Sequence, residues 1–133
     1  MIDSTKYDEK ELFPPIIAVD FDGTLVENKF PEIGEINIEV WKVIEIYKEK
    51  GWKIILWTCR TDSMLRDAVE FCEKNGLVFD AVNENIPEVQ AYYGGDTRKV
   101  FANKYIDDRS SIVFIEKTGE TKLADVSLIW KEK

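Results

Sequence analysis

Asp20-Phe21-Asp22-Gly23-Thr24 puts two carboxylates directly after the apolar run Ile16-Ile17-Ala18-Val19, and Asp107-Asp108 follows a second short run, Tyr105-Ile106. Thr58 ends a third apolar segment, Ile54-Ile55-Leu56-Trp57, and Lys99 lies a few residues before the Asp107 pair. Carboxylates gathered without a cation repel one another and lift their pKa values above the reference of ~3.9. A hard dication removes that penalty, and magnesium prefers one or two carboxylates, several waters and phosphate oxygens. These residues could therefore share a magnesium ion with a phosphate group. The chain has no histidine, which disfavours zinc sites and histidine-based acid–base or triad chemistry.

The elements around these residues must bring them together. A continuous apolar run of four is the mark of a strand buried on both faces, so strands are expected at 16–19, 52–57, 79–82, 105–106 and 112–115. Between them, Asn37 can cap a helix in which Val40, Val43, Ile44 and Tyr47 repeat at i, i+3, i+4 and i+7, with Gly51 as its stop. Asp62 can cap a second helix, with Leu65, Ala68, Val69 and Cys72 on one face and Gly76 at its end. Strands alternating with helices require crossovers and predict an α/β fold: an open, mostly parallel, Rossmann-like sheet with helices on both faces. In such a sheet ligands bind at the carboxyl ends of the strands, where the strand order reverses. Asp20, Asp22, Thr58, Asp107 and Asp108 all fall at such ends. Residues 117–120 read as a hairpin turn, and 124–130 fit either a strand or a helix.

At 133 residues the chain fits one domain. Residues 1–13 form a polar lead-in closed by Pro14-Pro15, and 14–133 the domain proper. The start lacks the plan of a secretory signal and no apolar run reaches the ~18 residues of a spanning helix, so a cytoplasmic home with no membrane partner is expected. Cys59 and Cys72 are then expected to stay reduced. A net charge of -8 makes nucleic acid an unlikely partner, since backbone phosphates are held by clustered Lys and Arg. The aromatic residues Trp41, Trp52, Trp57, Tyr92 and Tyr93 read as packing rather than base-stacking platforms.

The series Asp20-Phe21-Asp22-Gly23-Thr24-Leu25, Thr58 after an apolar strand, Lys99, and Asp107-Asp108 after another strand resembles the four motifs of the haloacid dehalogenase (HAD) superfamily of phosphohydrolases. The resemblance runs from about Ile16 to Ser110. It implies that Asp20 attacks phosphorus to give an aspartyl phosphate, that Asp22 protonates the leaving oxygen, and that Thr58 and Lys99 hold the phosphoryl oxygens. It also implies a magnesium ion held by Asp20, Asp107, the carbonyl of Asp22, and Asp108 directly or through water. Segments 26–36 and 84–98 are where this superfamily inserts caps, and both are too short here for a folded domain. The crevice is then open, unless a second copy covers it as a homo-oligomer.

Each assignment has a plainer competitor. A Thr at a strand end is usually a turn or cap residue, and Lys104 competes with Lys99 but sits nearer the amino end of its strand. Adjacent Asp107 and Asp108 point to opposite sides if extended. Arg60 could be an ordinary helix-flanking residue or could clamp a second anionic group of the substrate. Gly23 permits the sharp turn beyond the strand, and Asn83, Glu84 and Asn85 either line the crevice or form a common Asn-rich turn. The expected activity is hydrolysis of a phosphomonoester, with a small phosphorylated molecule as substrate. The alternatives are a catalytically silent metal- and phosphate-binding module, or phosphoryl transfer to an acceptor other than water.

Overall fold

Short apolar strands with no polar position are stable only when covered on both sides, and helices supply that cover. The computed structural model describes residues 12–108, 111–115 and 121–125. Along the chain it forms β1 (Ile16–Val19), α1 (Ile38–Glu49), β2 (Lys53–Leu56), α2 (Asp62–Lys74), β3 (Ala81–Val82), α3 (Pro87–Tyr93), β4 (Lys104–Ile106), β5 (Ser111–Ile115) and β6 (Thr121–Asp125). The first four strands make an open, all-parallel sheet in the order β3-β2-β1-β4, the α/β Rossmann-like arrangement expected from the alternation.

Side chains alternate across the sheet and build two apolar layers. On one face Ile17, Val19, Ile54 and Leu56 pack with Val40, Val43, Ile44 and Tyr47 of α1 and with Ala68 and Cys72 of α2. On the other, Ile16, Ala18, Ile55 and Ala81 pack with Ile86, Val89 and Val100, so α3 covers this side. Full burial of an Ile or Leu side chain stabilises by roughly 1.5–3 kcal/mol. Both faces of β1 and β2 are therefore committed to the core, and only their ends are left for chemistry.

Asn37 caps α1 as its type predicts, its Oδ1 accepting from the Val40 N–H at 3.4 Å. Asp62 does not cap α2: Thr61 holds the cap position, without a side-chain hydrogen bond, and Asp62 is the first helical residue. The seven-residue α3 was not foreseen, being too short to show a helical period; Pro87 at its start and left-handed Gly94 at its end delimit it. The apolar run 112–115 is a strand, but it does not extend the parallel sheet. β5 pairs antiparallel with β6 in a separate two-stranded sheet, because an apolar run signals a strand without naming its neighbour. The hairpin turn expected at 117–120, and 126–130, lie outside the described residues.

Trp41 and Trp52 are core residues, whereas Trp57, Tyr92 and Tyr93 are exposed, Tyr92 and Tyr93 packing edge-on against each other at the surface and not in the core. Phe13, the last residue of the lead-in, packs edge-on against Tyr92 and Phe101. Cys59 is exposed, Cys72 buried, and both are free thiols; burial pushes the Cys72 thiol up to about 12. Among the described residues no helix is long and apolar enough to cross a membrane.

Candidate active site

Strand register decides what stands at the carboxyl edge. Val19 is level with Leu56 and Ile106, and Leu56 with Val82; one step on, Asp20, Trp57, Asn83 and Asp107 form a row across four strand ends. Backbone bonds hold that row: Asp20 N–H donates to Ile106 O at 2.9 Å, Trp57 N–H to Val19 O at 2.8 Å and Asn83 N–H to Leu56 O at 2.8 Å. From β1 the chain moves through β2 to β3 on one side, then crosses to β4 on the other. The order thus reverses at β1, and Asp20 and Asp107 border the crevice where α/β sheets bind ligands.

The Asp20 carboxyl is pushed up from 3.8 to about 6, chiefly by burial, which penalises the anion. The Phe21 N–H, which donates to Asp20 Oδ1 at 2.8 Å, acts the other way. The charges of Asp108, Asp22 and Asp107 raise it further. Three of the acidic residues singled out from the sequence thus act on the fourth, Asp20. Phe21, fully buried and edge-on to Phe71, turns into the core and anchors the pair on either side of it.

Gly23 has φ +81°, and a Cβ there would lie 3.2 Å from both Cβ and Oδ2 of Asp108. It is needed for its backbone conformation and because Asp108 takes the space a side chain would fill. Among the described residues no group of three His, Cys, Asp or Glu is arranged to hold a metal ion. The chemistry of an all-aspartate set would suit magnesium, which keeps waters and takes one or two carboxylates, and Asp20 with Asp107 or Asp108 are the residues that could hold it.

Thr58 is fixed through its backbone. Its N–H donates to Asn83 Oδ1 at 2.8 Å, and its Oγ1 accepts from the Arg60 N–H at 3.2 Å. Asn83, at φ 54°, occupies the left-handed region that Asn tolerates better than most residues. Its side-chain oxygen is given to the Thr58 turn, which makes Asn83 a support for that turn. Glu84 is exposed, and buried Asn85 organises residues 96–101.

Arg60 differs most from its expected role as an anion clamp. Its side chain is 1% exposed, and each of its five N–H groups is used inside the protein. Nε donates to Asp22 Oδ2 at 2.7 Å and Nη2 to Asp22 Oδ1 at 2.8 Å, a bidentate pair. Nη2 also donates to Glu32 O at 2.8 Å, and Nη1 to Pro31 O at 3.2 Å and Met64 O at 3.3 Å. The guanidinium lies 5.0 Å from the Phe21 ring centroid and 5.1 Å from that of Phe30. Asp22 holds it above its ordinary pKa. No donor remains to grip a substrate. Sequence spacing placed this Arg beside Thr58, but nothing in the spacing says which carboxylate it meets.

Lys99 is exposed, with its ammonium 5.4 Å from the ring centroid of Tyr105, and no cation is among the groups acting on Asp20. The structure therefore brings Asp20, Asp22, Asp107 and Asp108 together beside the Thr58 turn, and leaves Lys99 stacked on a ring. Lys104 starts β4 level with Ile17, at the amino end, as its position predicted.

No protein-family model matches the chain, and no curated protein does. Among solved structures, a conserved protein coded by a locus from Bacteroides thetaiotaomicron is similar, with 34% sequence identity and a TM-score of 0.64 over 87% of this chain and 86% of that one. With identity at that level over most of both chains, this chain belongs to the same family as that conserved Bacteroides protein.

Proposed function

We propose that the chain is a magnesium-dependent phosphatase of the HAD type, hydrolysing a phosphomonoester through an aspartyl phosphate on Asp20. One observation carries this reading: a desolvated Asp20, pushed up to about 6, facing the charges of Asp108, Asp22 and Asp107 at the reversal point of the sheet. Four neighbouring carboxylates cost stability unless a cation and an anionic ligand use them.

The chemistry then divides into two displacements. A carboxylate oxygen of Asp20 bonds to phosphorus as the bond to the leaving oxygen breaks, and Asp22 delivers a proton to that oxygen. Water next attacks phosphorus, Asp22 takes back a proton, and the bond to Asp20 breaks to release phosphate. Thr58, its backbone fixed by Asn83, donates a hydrogen bond to a phosphoryl oxygen. Asp20 and Asp107, with Asp108 and the Asp22 carbonyl, would hold a magnesium ion, which would neutralise charge on nucleophile and phosphate.

A second reading has support of its own. Both oxygens of Asp22 are held by Arg60 and the Lys99 ammonium lies on Tyr105, an arrangement that suits a silent module binding metal and phosphate. Phosphate release from aryl and alkyl monoesters, with magnesium and with chelator, separates the two. The phosphatase reading expects magnesium-dependent turnover that falls at least about 1000-fold in Asp20→Asn. Magnesium and orthophosphate binding without turnover across a broad ester panel would favour the module.

A further inference from the structure

Arg60 is a buried cation with its donors matched by groups from three separate stretches of chain. A buried charge is tolerated only when it is paired and its hydrogen bonds are met. The fork meets Asp22 past β1, the carbonyls of Pro31 and Glu32 in the following loop, and the carbonyl of Met64 in the first turn of α2. Its own backbone N–H reaches Thr58 Oγ1 at 3.2 Å. Phe30, 53% exposed, lies over the guanidinium from the loop side.

The link between loop and carboxylate runs through one rigid guanidinium, and most directly through Nη2. Nη2 donates both to Asp22 Oδ1 and to Glu32 O, each at 2.8 Å. Because a guanidinium is planar and rigid, it cannot turn to follow the loop without pulling its fork off Asp22. Lysine could match the charge but not this geometry, having a single nitrogen on a flexible stem.

We propose that Arg60 is a positioning residue that couples the Phe30–Glu32 loop to Asp22, so that the seating of the loop and the orientation of the carboxylate change together. The catalytic half of this inference rests on the phosphatase reading; the mechanical half does not. A substrate that presses on the loop thereby reorients the group assigned to its leaving oxygen.

Trypsin reads the mechanical half, since Lys29 is an exposed cleavage point beside Phe30. Cleavage after Lys29 is expected to be about tenfold faster in Arg60→Lys, and several-fold faster in Asp22→Asn, with cleavage after Lys74 unchanged in each. A parental Lys29 rate in Asp22→Asn overturns the coupling, because the loop would then not sense its far end. Turnover reads the catalytic half: Phe30→Ala leaves the Asp22 fork intact yet is expected to lower the alkyl-to-aryl turnover ratio about threefold, and Arg60→Lys about tenfold. An unchanged ratio in Phe30→Ala overturns that half. Should Arg60→Lys fail to fold, Asp22→Asn and Phe30→Ala still decide. Absence of turnover by the parent on both esters ends the phosphatase reading instead, and the trypsin arm alone then judges the coupling.

Discussion

The 27–36 excursion and the 94–101 stretch each carry residues tied to the candidate site, yet they are fastened by opposite means. The first is gripped by a buried cation whose other hand is on Asp22. The second is gripped by a neutral amide: Asn85, fully buried, donates from N–H and Nδ2 to Asp96 Oδ1 at 3.0 and 2.8 Å and from Nδ2 to Thr97 Oγ1 at 3.0 Å, and its Oδ1 accepts from the Phe101 N–H at 2.6 Å. Tyr105 adds to that block, its hydroxyl donating to Val100 O at 2.7 Å and accepting from the Ala102 N–H at 3.1 Å. A loop fastened to a site residue transmits its movement to the chemistry; a loop fastened to its own flanks holds its shape independently. Lys99 rides on the second kind.

That contrast is broken most decisively at Lys99. Under the phosphatase reading its ammonium must leave the Tyr105 ring when a phosphate is bound, so Lys99→Ala is expected to cut turnover about 100-fold while Lys104→Ala stays within threefold. Steady-state kinetics on an aryl phosphate checks this, and equal small losses would make the second stretch a bystander. Next in size is Asp22→Asn, expected to slow alkyl esters roughly 50-fold and activated aryl esters less than fivefold, because only the former need a proton on the leaving oxygen. Equal losses on both would deny Asp22 its acid role.

The neutral fastening predicts a stability effect without a link to the other loop. Asn85→Ala leaves several partners unmet in the interior, and is expected to cost about 2–4 kcal/mol, lowering the melting temperature by roughly 10 °C. Trypsin cleavage after Lys29, measured well below that temperature, should stay at the parental rate; acceleration there would show that the two stretches are not independent.

The smallest effect concerns the carboxylate between them. Asp20 is raised in the folded protein to about 6 from 3.8, so its contribution to stability is fully present below about pH 3.8 and is lost as pH rises through about 6. In chelator, Asp20→Asn is therefore expected to melt a few degrees above the parent at pH 7.5, with the gap closing toward pH 4. A gap that is constant with pH would mean the parent gains no proton at Asp20 on folding.

Much of this was legible in the sequence, for identifiable reasons. The apolar runs Ile16–Val19 and 54–56 have no polar position, and the α1 and α2 residues recur at helical spacing, so both β–α pairs follow from burial alone. Asp20, Asp22, Thr58, Asp107 and Asp108 were legible as candidates because each lies within three residues of the carboxyl end of an apolar run. Three things were not. The pairing of β5 with β6 depends on a partner strand that an apolar run does not specify. The side-chain fork of Arg60 depends on where the loop carbonyls of Pro31 and Glu32 come to rest. The buried hub at Asn85 sits within an Asn-rich turn that reads the same whether its amides face water or the interior.

The base of the 27–36 excursion is closed by a clasp independent of its tip. Glu27 N–H donates to Glu35 O at 2.8 Å and Asn37 N–H to Leu25 O at 2.8 Å, while a Cβ on Gly34 would lie 2.2 Å from the Glu27 carbonyl oxygen. With the two ends already joined, added length between them costs little closure entropy, only about 0.6 kcal/mol for each doubling. The scaffold thus offers a graft point beside Lys29, where a larger roof could be installed provided Gly34 and the Pro31 and Glu32 carbonyls that meet Arg60 are retained.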